Sequence, residues 1–299
     1  MVSDALRVTL TRGQAVVDLT AYLADVDATG THLLGGLTGA GLPPVEARWF
    51  SGAGDGAVWR GARVSPRVLV VPLLVEGVDR VDVAARLRTL ALVLTPPDPE
   101  GTDRTVLSLV EPDGTVWQTA VYRTGGGDLV WGPGTDSATW ATTEVELTAP
   151  DPYWTRQAPS SLTVSTGGQG RHLLPYLSRL RLTSSATTGR RTVENPGDAP
   201  AWPVWQITGP GADFTATDAA GQALAWRSRL EGGQSLTIDT RAGTVVDGTG
   251  ANRYAELAPA PRFWAVPPGT STVWVTWEQT EPGRSLVVCR WQPRRWLVF

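Results

Sequence analysis

Two histidines and one cysteine are the only imidazole and thiol groups in this 299-residue chain. His32 stands in "GTHLLGG", His172 in "GRHLLPY" and Cys289 in "VVCRW". A nucleophilic triad needs a hydroxyl or thiol and a carboxylate brought to an imidazole, and a soft-metal centre needs several N or S ligands together. Neither histidine has such a pattern near it in sequence, and no G-x-S-x-G or H-E-x-x-H occurs. The single cysteine excludes an internal disulfide and a thiolate cluster. All 26 basic side chains are arginine. Without lysine, neither a Walker-type phosphate loop nor a Schiff-base enzyme is available. The expectation is no catalytic residue, no metal site and no cofactor.

Other segments invite chemical readings that their context weakens. "GGLTGAG" (35–41) and "GAGDG" (52–56) resemble phosphate cradles, but neither leads from a buried strand into a helix. They read as turns between strands. "DATGTHLLGG" lacks the ligand spacing of a calcium loop. The carboxylate pairs Asp25/Asp27 and Glu144/Glu146 alternate as on a solvated strand face, although a glycosidase would also use paired acids. Tryptophan is abundant, with 14 in the chain and eight of them after residue 200. In "TVWVTWE" (272–278), Val273, Val275 and Trp277 share one face, which leaves Trp274 on the other. An exposed indole can stack on the apolar face of a sugar ring. Trp274 is therefore the candidate glycan contact, with Trp277 and Trp291 expected in a core.

These residues need a frame. The length exceeds what one core usually takes, so two domains are expected. The net charge of −3 predicts no general affinity for nucleic acid or anionic lipid. It is unevenly spread: residues 1–150 carry −7 and residues 151–299 carry +4. "MVSDALRVTL" lacks the regions of a secretion signal, and the longest apolar run, Val68–Val75, contains Pro72 and is too short to span a bilayer. A soluble protein made in a cytoplasm is expected, with no membrane insertion. Glycine and proline punctuate short β-branched and aromatic runs throughout, which marks a mainly β chain with tight turns. Strands are predicted at Ala5–Thr11, Ala47–Phe50, Arg67–Val75, Val106–Val110, Val116–Arg123 and Thr139–Thr148. After residue 180, "SLTIDT", "TVWVTWE" and "SLVVCRW" alternate as the half-buried strands of an antiparallel sandwich do. One segment has helical period: Val83, Leu87, Leu90 and Leu94 recur between Asp79 or Asp82, which can cap, and Pro96-Pro97, which stop it. An amphipathic helix is predicted over 80–94. Residues 157–178, rich in Ser, Thr, Gly and Gln, read as a linker. The expected organisation is an N-terminal domain at 1–156, the linker at 157–178 and a C-terminal β-sandwich at 179–299.

The stretch "LTAPDPYWTR" (147–156) closes the first of these domains. Pro150 and Pro152 restrict the backbone and remove two donors as the chain leaves a strand. Asp151, Pro152, Tyr153 and Trp154 then form a corner, read as a structural latch in which the two aromatics plug the base of the domain. Further on come "VENPGDAPAWPVWQITGPG" (193–211), "LTIDT" (236–240), an aromatic before "PPGTSTVWV" (267–275), and an Arg/Trp-rich end, "CRWQPRRW". In this order the motifs resemble those of the distal tail proteins of siphophages, over nearly the whole chain. "GTSTV" departs from relatives that carry Asn near the Gly.

The resemblance implies a β-rich N-terminal belt domain with one helix, and a C-terminal sandwich of jelly-roll or galectin-like type. It implies a homo-oligomeric ring, a hexamer, joining the tail tube protein to the tail-tip hub and receptor-binding parts of a virion assembled in the host cytoplasm. The family contributes no catalytic residues. The alternative is a carbohydrate-binding module that aids adsorption to a host-surface saccharide.

Overall fold

A computed structural model of the protein describes residues 6–23, 25, 28–97, 103–130, 139–165 and 187–298. The chain is mainly β and divides into two compact units. Unit 1 comprises Met1–Gln157 together with Arg295–Phe299, and unit 2 comprises Ala158–Arg294.

Unit 1 is built on a nine-stranded sheet. Its strands are β1 (Arg7–Arg12), β2 (Ala15–Asp18), β3 (Thr31–Leu33), β6 (Arg67–Glu76), β7 (Thr105–Val110), β8 (Val116–Gly126) and β9 (Trp140–Ala149), in the order β2-β1-β7-β8-β9-β6-β3. Two short strands, β10 (Trp154–Arg156) and β20 (Arg294–Arg295), pair with each other, and β10 also pairs with β8. Strict alternation along β6 sends Leu69, Val71, Leu73 and Val75 into the core. The helix α1 (Arg80–Leu94) has the predicted bounds. Asp79 caps it by accepting the Asp82 N–H at 2.8 Å, and Asp82 accepts both the Val78 N–H and the Arg86 guanidinium. Val83, Leu90, Val93 and Leu94 are buried, and the helix packs on β1, β2, β6 and β9. A separate hairpin joins β4 (Val45–Phe50) to β5 (Val58–Val64).

Unit 2 is a sandwich of two antiparallel sheets around one core. One sheet has the order β11 (Ser160–Ser165), β19 (Leu286–Trp291), β13 (Val204–Thr208), β16 (Ser235–Asp239), β17 (Thr244–Asp247). The other has β12 (Thr187–Asn195), β18 (Gly269–Glu278), β14 (Gly211–Thr217), β15 (Ala223–Leu230). Val287, Cys289 and Trp291 meet Val273, Val275 and Trp277 in that core. Gly211 is required there, because a Cβ would lie 2.3 Å from the Trp277 ring.

Two boundaries differ from the expectation. Ser160–Ser165, assigned to a linker at 157–178, is a strand paired with β19, with Leu162 opposite Cys289 and Val164 opposite Val287. Two alternating apolar residues outweighed the Ser/Thr composition; residues 166–178 lie outside the described residues. The last five residues, assigned to the sandwich of 179–299, belong to unit 1, where Val298 enters the core.

Candidate functional site

The corner is organised around a residue that its own sequence does not reveal. Arg67 opens β6 with the same parity as Leu69 and Val71, so its side chain points inward and is only 1% exposed. The guanidinium donates to the Pro152 carbonyl from Nε (3.1 Å) and Nη2 (2.8 Å), to Trp296 O (2.7 Å), to Gly39 O (2.8 Å) and to Gly41 O. It also lies 5.5 Å from the centre of the Trp154 ring. Among the described residues no carboxylate pairs with it. Burial lowers its pKa from the ordinary arginine value, while five directed hydrogen bonds hold the charge in place. The Gly-rich stretch 35–41 thus cradles a cation with its carbonyls, where a phosphate site would use N–H groups. Gly39 has φ +82°, and a Cβ there would sit 2.0 Å from the Val68 carbonyl oxygen.

The four corner residues have distinct surroundings. Trp154 is fully buried and its indole N–H donates to Ala40 O at 3.3 Å. Tyr153 lies against Trp296, with ring centroids 4.7 Å apart. Asp151 accepts the Tyr153 N–H through its carboxylate and the Thr119 hydroxyl through its carbonyl. Pro152 supplies the carbonyl that Arg67 grips. Nearby, Arg295 donates to Glu111 at 2.8 Å and stacks 4.2 Å from the centre of the Trp117 ring, whose indole N–H donates to the same Glu111. The sequence offers no local signal for Arg67 and Arg295 as partners of this segment. Inward strand parity signals only that the first is buried.

The β4–β5 hairpin carries an exposed apolar face. Register pairs Val45 with Val64, Ala47 with Ala62 and Trp49 with Trp59, so these six apolar side chains share one face. Trp49 and Trp59 are 59% and 52% exposed and touch edge to face at 5.0 Å. The opposite face carries the Arg63–Glu46 ion pair at 2.8 Å, and Arg60 over Phe50. A two-stranded arm that has no covering layer among the described residues is not a self-sufficient element in water.

The remaining candidates stand apart from one another. His32 is buried, donates from Nε2 to Ala28 O (3.0 Å) and packs edge-on against Tyr22; Glu76 is 3.9 Å away. His172 and Asp27 lie outside the described residues. Glu144 and Glu146 line the outer face of β9, where Glu146 accepts the Thr124 hydroxyl. Burial pushes the Cys289 thiol pKa well up, which leaves a packing group rather than a nucleophile. Among the described residues no three His, Cys, Asp or Glu side chains converge as metal ligands, and no helix is long and apolar enough to cross a membrane. Trp274 is 42% exposed on β18, whereas Trp277 and Trp291 are buried.

No family model and no curated protein matches the sequence. Solved structures do match. The structure of the phage P2 baseplate in its activated conformation with calcium contains a chain that aligns with a TM-score of 0.53 at 8% identity, over 98% of this chain and 100% of that one. The crystal structure of the SPP1 Dit protein, described as a paradigm of the hub adsorption apparatus in phages infecting Gram-positive hosts, aligns with a TM-score of 0.63 at 15% identity, over 96% of this chain and 98% of that one. Over nearly its whole length, this chain has the fold of the SPP1 Dit protein.

Proposed function

We propose that the protein is a structural component of a long, non-contractile phage tail tip, where six copies form a ring that joins the tail tube to the baseplate hub and receptor-binding parts. The observation that carries this reading is the β4–β5 hairpin, whose apolar face of Val45, Ala47, Trp49, Trp59, Ala62 and Val64 is uncovered among the described residues. A knob on one side of a subunit that seats on a different surface of the next is a heterologous contact, which forms a ring where the rotation between copies closes. The outer face of unit 1's sheet, with Val68 and Trp140 exposed on β6 and β9, is a suitable seat. The same face also bears Glu144 and Glu146. Likeness to a hub protein and a baseplate chain supports the location in a virion. Assembly uses no catalysis, and the reading assigns none.

The test is mass in solution, by light scattering and negative-stain imaging of the full chain. A closed oligomer is expected for the natural sequence, and monomer with an unchanged melting temperature for the double variant Trp49→Ser, Trp59→Ser. A ring that survives both substitutions removes the arm from assembly. A monomer both at high concentration and in extracts of intact particles overturns the ring.

A further inference from the structure

The outer face of the sheet β12-β18-β14-β15 is composed unlike the apolar arm of unit 1. β18 commits Val273, Val275 and Trp277 to the core, so Thr272, Trp274 and Thr276 stand on the other side. Arg190 of β12 lies directly opposite Trp274, while Thr215 and Thr217 of β14 oppose Thr276 and Trp274. One indole, one guanidinium and four hydroxyls therefore occupy adjoining positions on three strands. The Arg190 Cζ is 5.6 Å from the Trp274 ring centre, and its Nη2 donates to the Thr272 hydroxyl at 3.2 Å. Among the described residues no carboxylate pairs with Arg190; Glu194, on the same strand face, lies opposite Thr270 at the strand's far end.

We propose that this face binds an acidic polysaccharide, one whose pyranose rings carry the carboxylate of a uronic acid. A pyranose presents an apolar face of C–H groups, which an exposed indole accepts by stacking. Its hydroxyls match the threonine row, since both partners donate and accept. A uronate carboxylate is one bond from the ring, so a sugar stacked on Trp274 brings that charge beside Arg190, whose planar fork takes carboxylates through two parallel bonds. The surface is an isolated aromatic among hydroxyls rather than a continuous apolar patch, which favours a sugar over a protein partner. The uncompensated guanidinium favours an acidic sugar over a neutral one. This site is independent of the ring contact, because it lies wholly in unit 2 and needs no second copy.

Calorimetry of the full chain with polygalacturonate tests the proposal, with dextran as a neutral polysaccharide and polyglutamate as a polyanion that is not a sugar. Binding of polygalacturonate in preference to both controls is expected. Trp274→Ala should weaken that binding about tenfold or more with little change in melting temperature. Arg190→Gln should reduce polygalacturonate to the level of dextran. Where Trp274→Ala lowers the melting point, Trp274→Phe keeps a stacking face and should retain binding. Equal binding of polyglutamate, unchanged binding in Trp274→Ala, or no binding by the natural sequence overturns the proposal.

Discussion

Arg67 is a buried cation held by carbonyl dipoles and the Trp154 ring, and its removal should be costly for a reason separate from packing. Four carbonyls, of Gly39, Gly41, Pro152 and Trp296, converge on the guanidinium. Arg67→Met leaves them desolvated and without donors, and each buried carbonyl left unsatisfied costs ~1–3 kcal/mol. Arg67→Lys keeps the charge but concentrates its three donors on one nitrogen, which cannot span four acceptors, so it should recover only part of the loss. Urea unfolding of the three proteins measures this; a loss of under ~1 kcal/mol in Arg67→Met is the range of an ordinary surface change and would sink the account. Trp154→Ala should cost ~3–5 kcal/mol through the cavity it leaves, because the indole is fully enclosed. The corner was visible in sequence because Pro-Asp-Pro and paired aromatics are local signals. Its anchor was not, because Arg67 is 85 residues away and ordinarily reads as the solvated start of a strand.

At the scale of elements, legibility followed periodicity. The helix over 80–94 was readable to the residue, since Asp79 caps it and Pro96 follows its end. β18 and β19 show the predicted division of faces, with Val273, Val275, Trp277, Val287, Cys289 and Trp291 inside. The hairpin was harder: Ala47–Phe50 reads as a strand, but alternation says which side chains share a face and not whether anything covers it. β11 was masked by composition, because Ser and Thr are common both in loops and on the open side of strands. A second element-level feature is the turn after β17. Asp247 accepts the Thr249 hydroxyl (2.6 Å) and N–H (2.9 Å), the Ala251 N–H (3.1 Å) and the Arg253 guanidinium. These bonds, the Thr249 hydroxyl foremost, hold its pKa down at about 2 against an ordinary 3.8. A carboxylate depressed in the folded state contributes stability that is full above the unfolded pKa and lost as pH falls through the folded one. Melting temperature should therefore fall between about pH 4 and pH 2, and Asp247→Asn should flatten that fall in this window while lowering stability at neutral pH. Parallel acid profiles for the two proteins would show that the turn does not depend on this carboxylate.

At the scale of the whole chain, unit 1 is discontinuous in sequence, and that changes what a fragment can do. The expected N-terminal domain ended at Arg156, with Tyr153 and Trp154 as its closure. In the structure that closure is shared with the last residues: Trp296 supplies both an acceptor for Arg67 and the ring against Tyr153, Arg295 meets Glu111 and Trp117, and Val298 lies in the core. Nothing local could reveal this, because the two segments are separated by all of unit 2. A fragment of residues 1–157 should consequently melt well below the full chain and assemble poorly, even though it contains the whole β4–β5 arm. Joining residues 295–299 to Gln157 through a short Gly/Ser linker should restore both, because β10 and β20 pair and the link has little distance to cover. A fragment of residues 158–294 retains every strand of the sandwich, including β11, and should fold and remain monomeric. Limited proteolysis should spare 160–165, which is paired to β19 along its whole length. Melting and light scattering of the two unit 1 fragments decide the matter. Equal melting temperatures would mean that the terminal segment is a passenger. Oligomers from 158–294 alone would move the assembly surface to the sandwich and away from the arm.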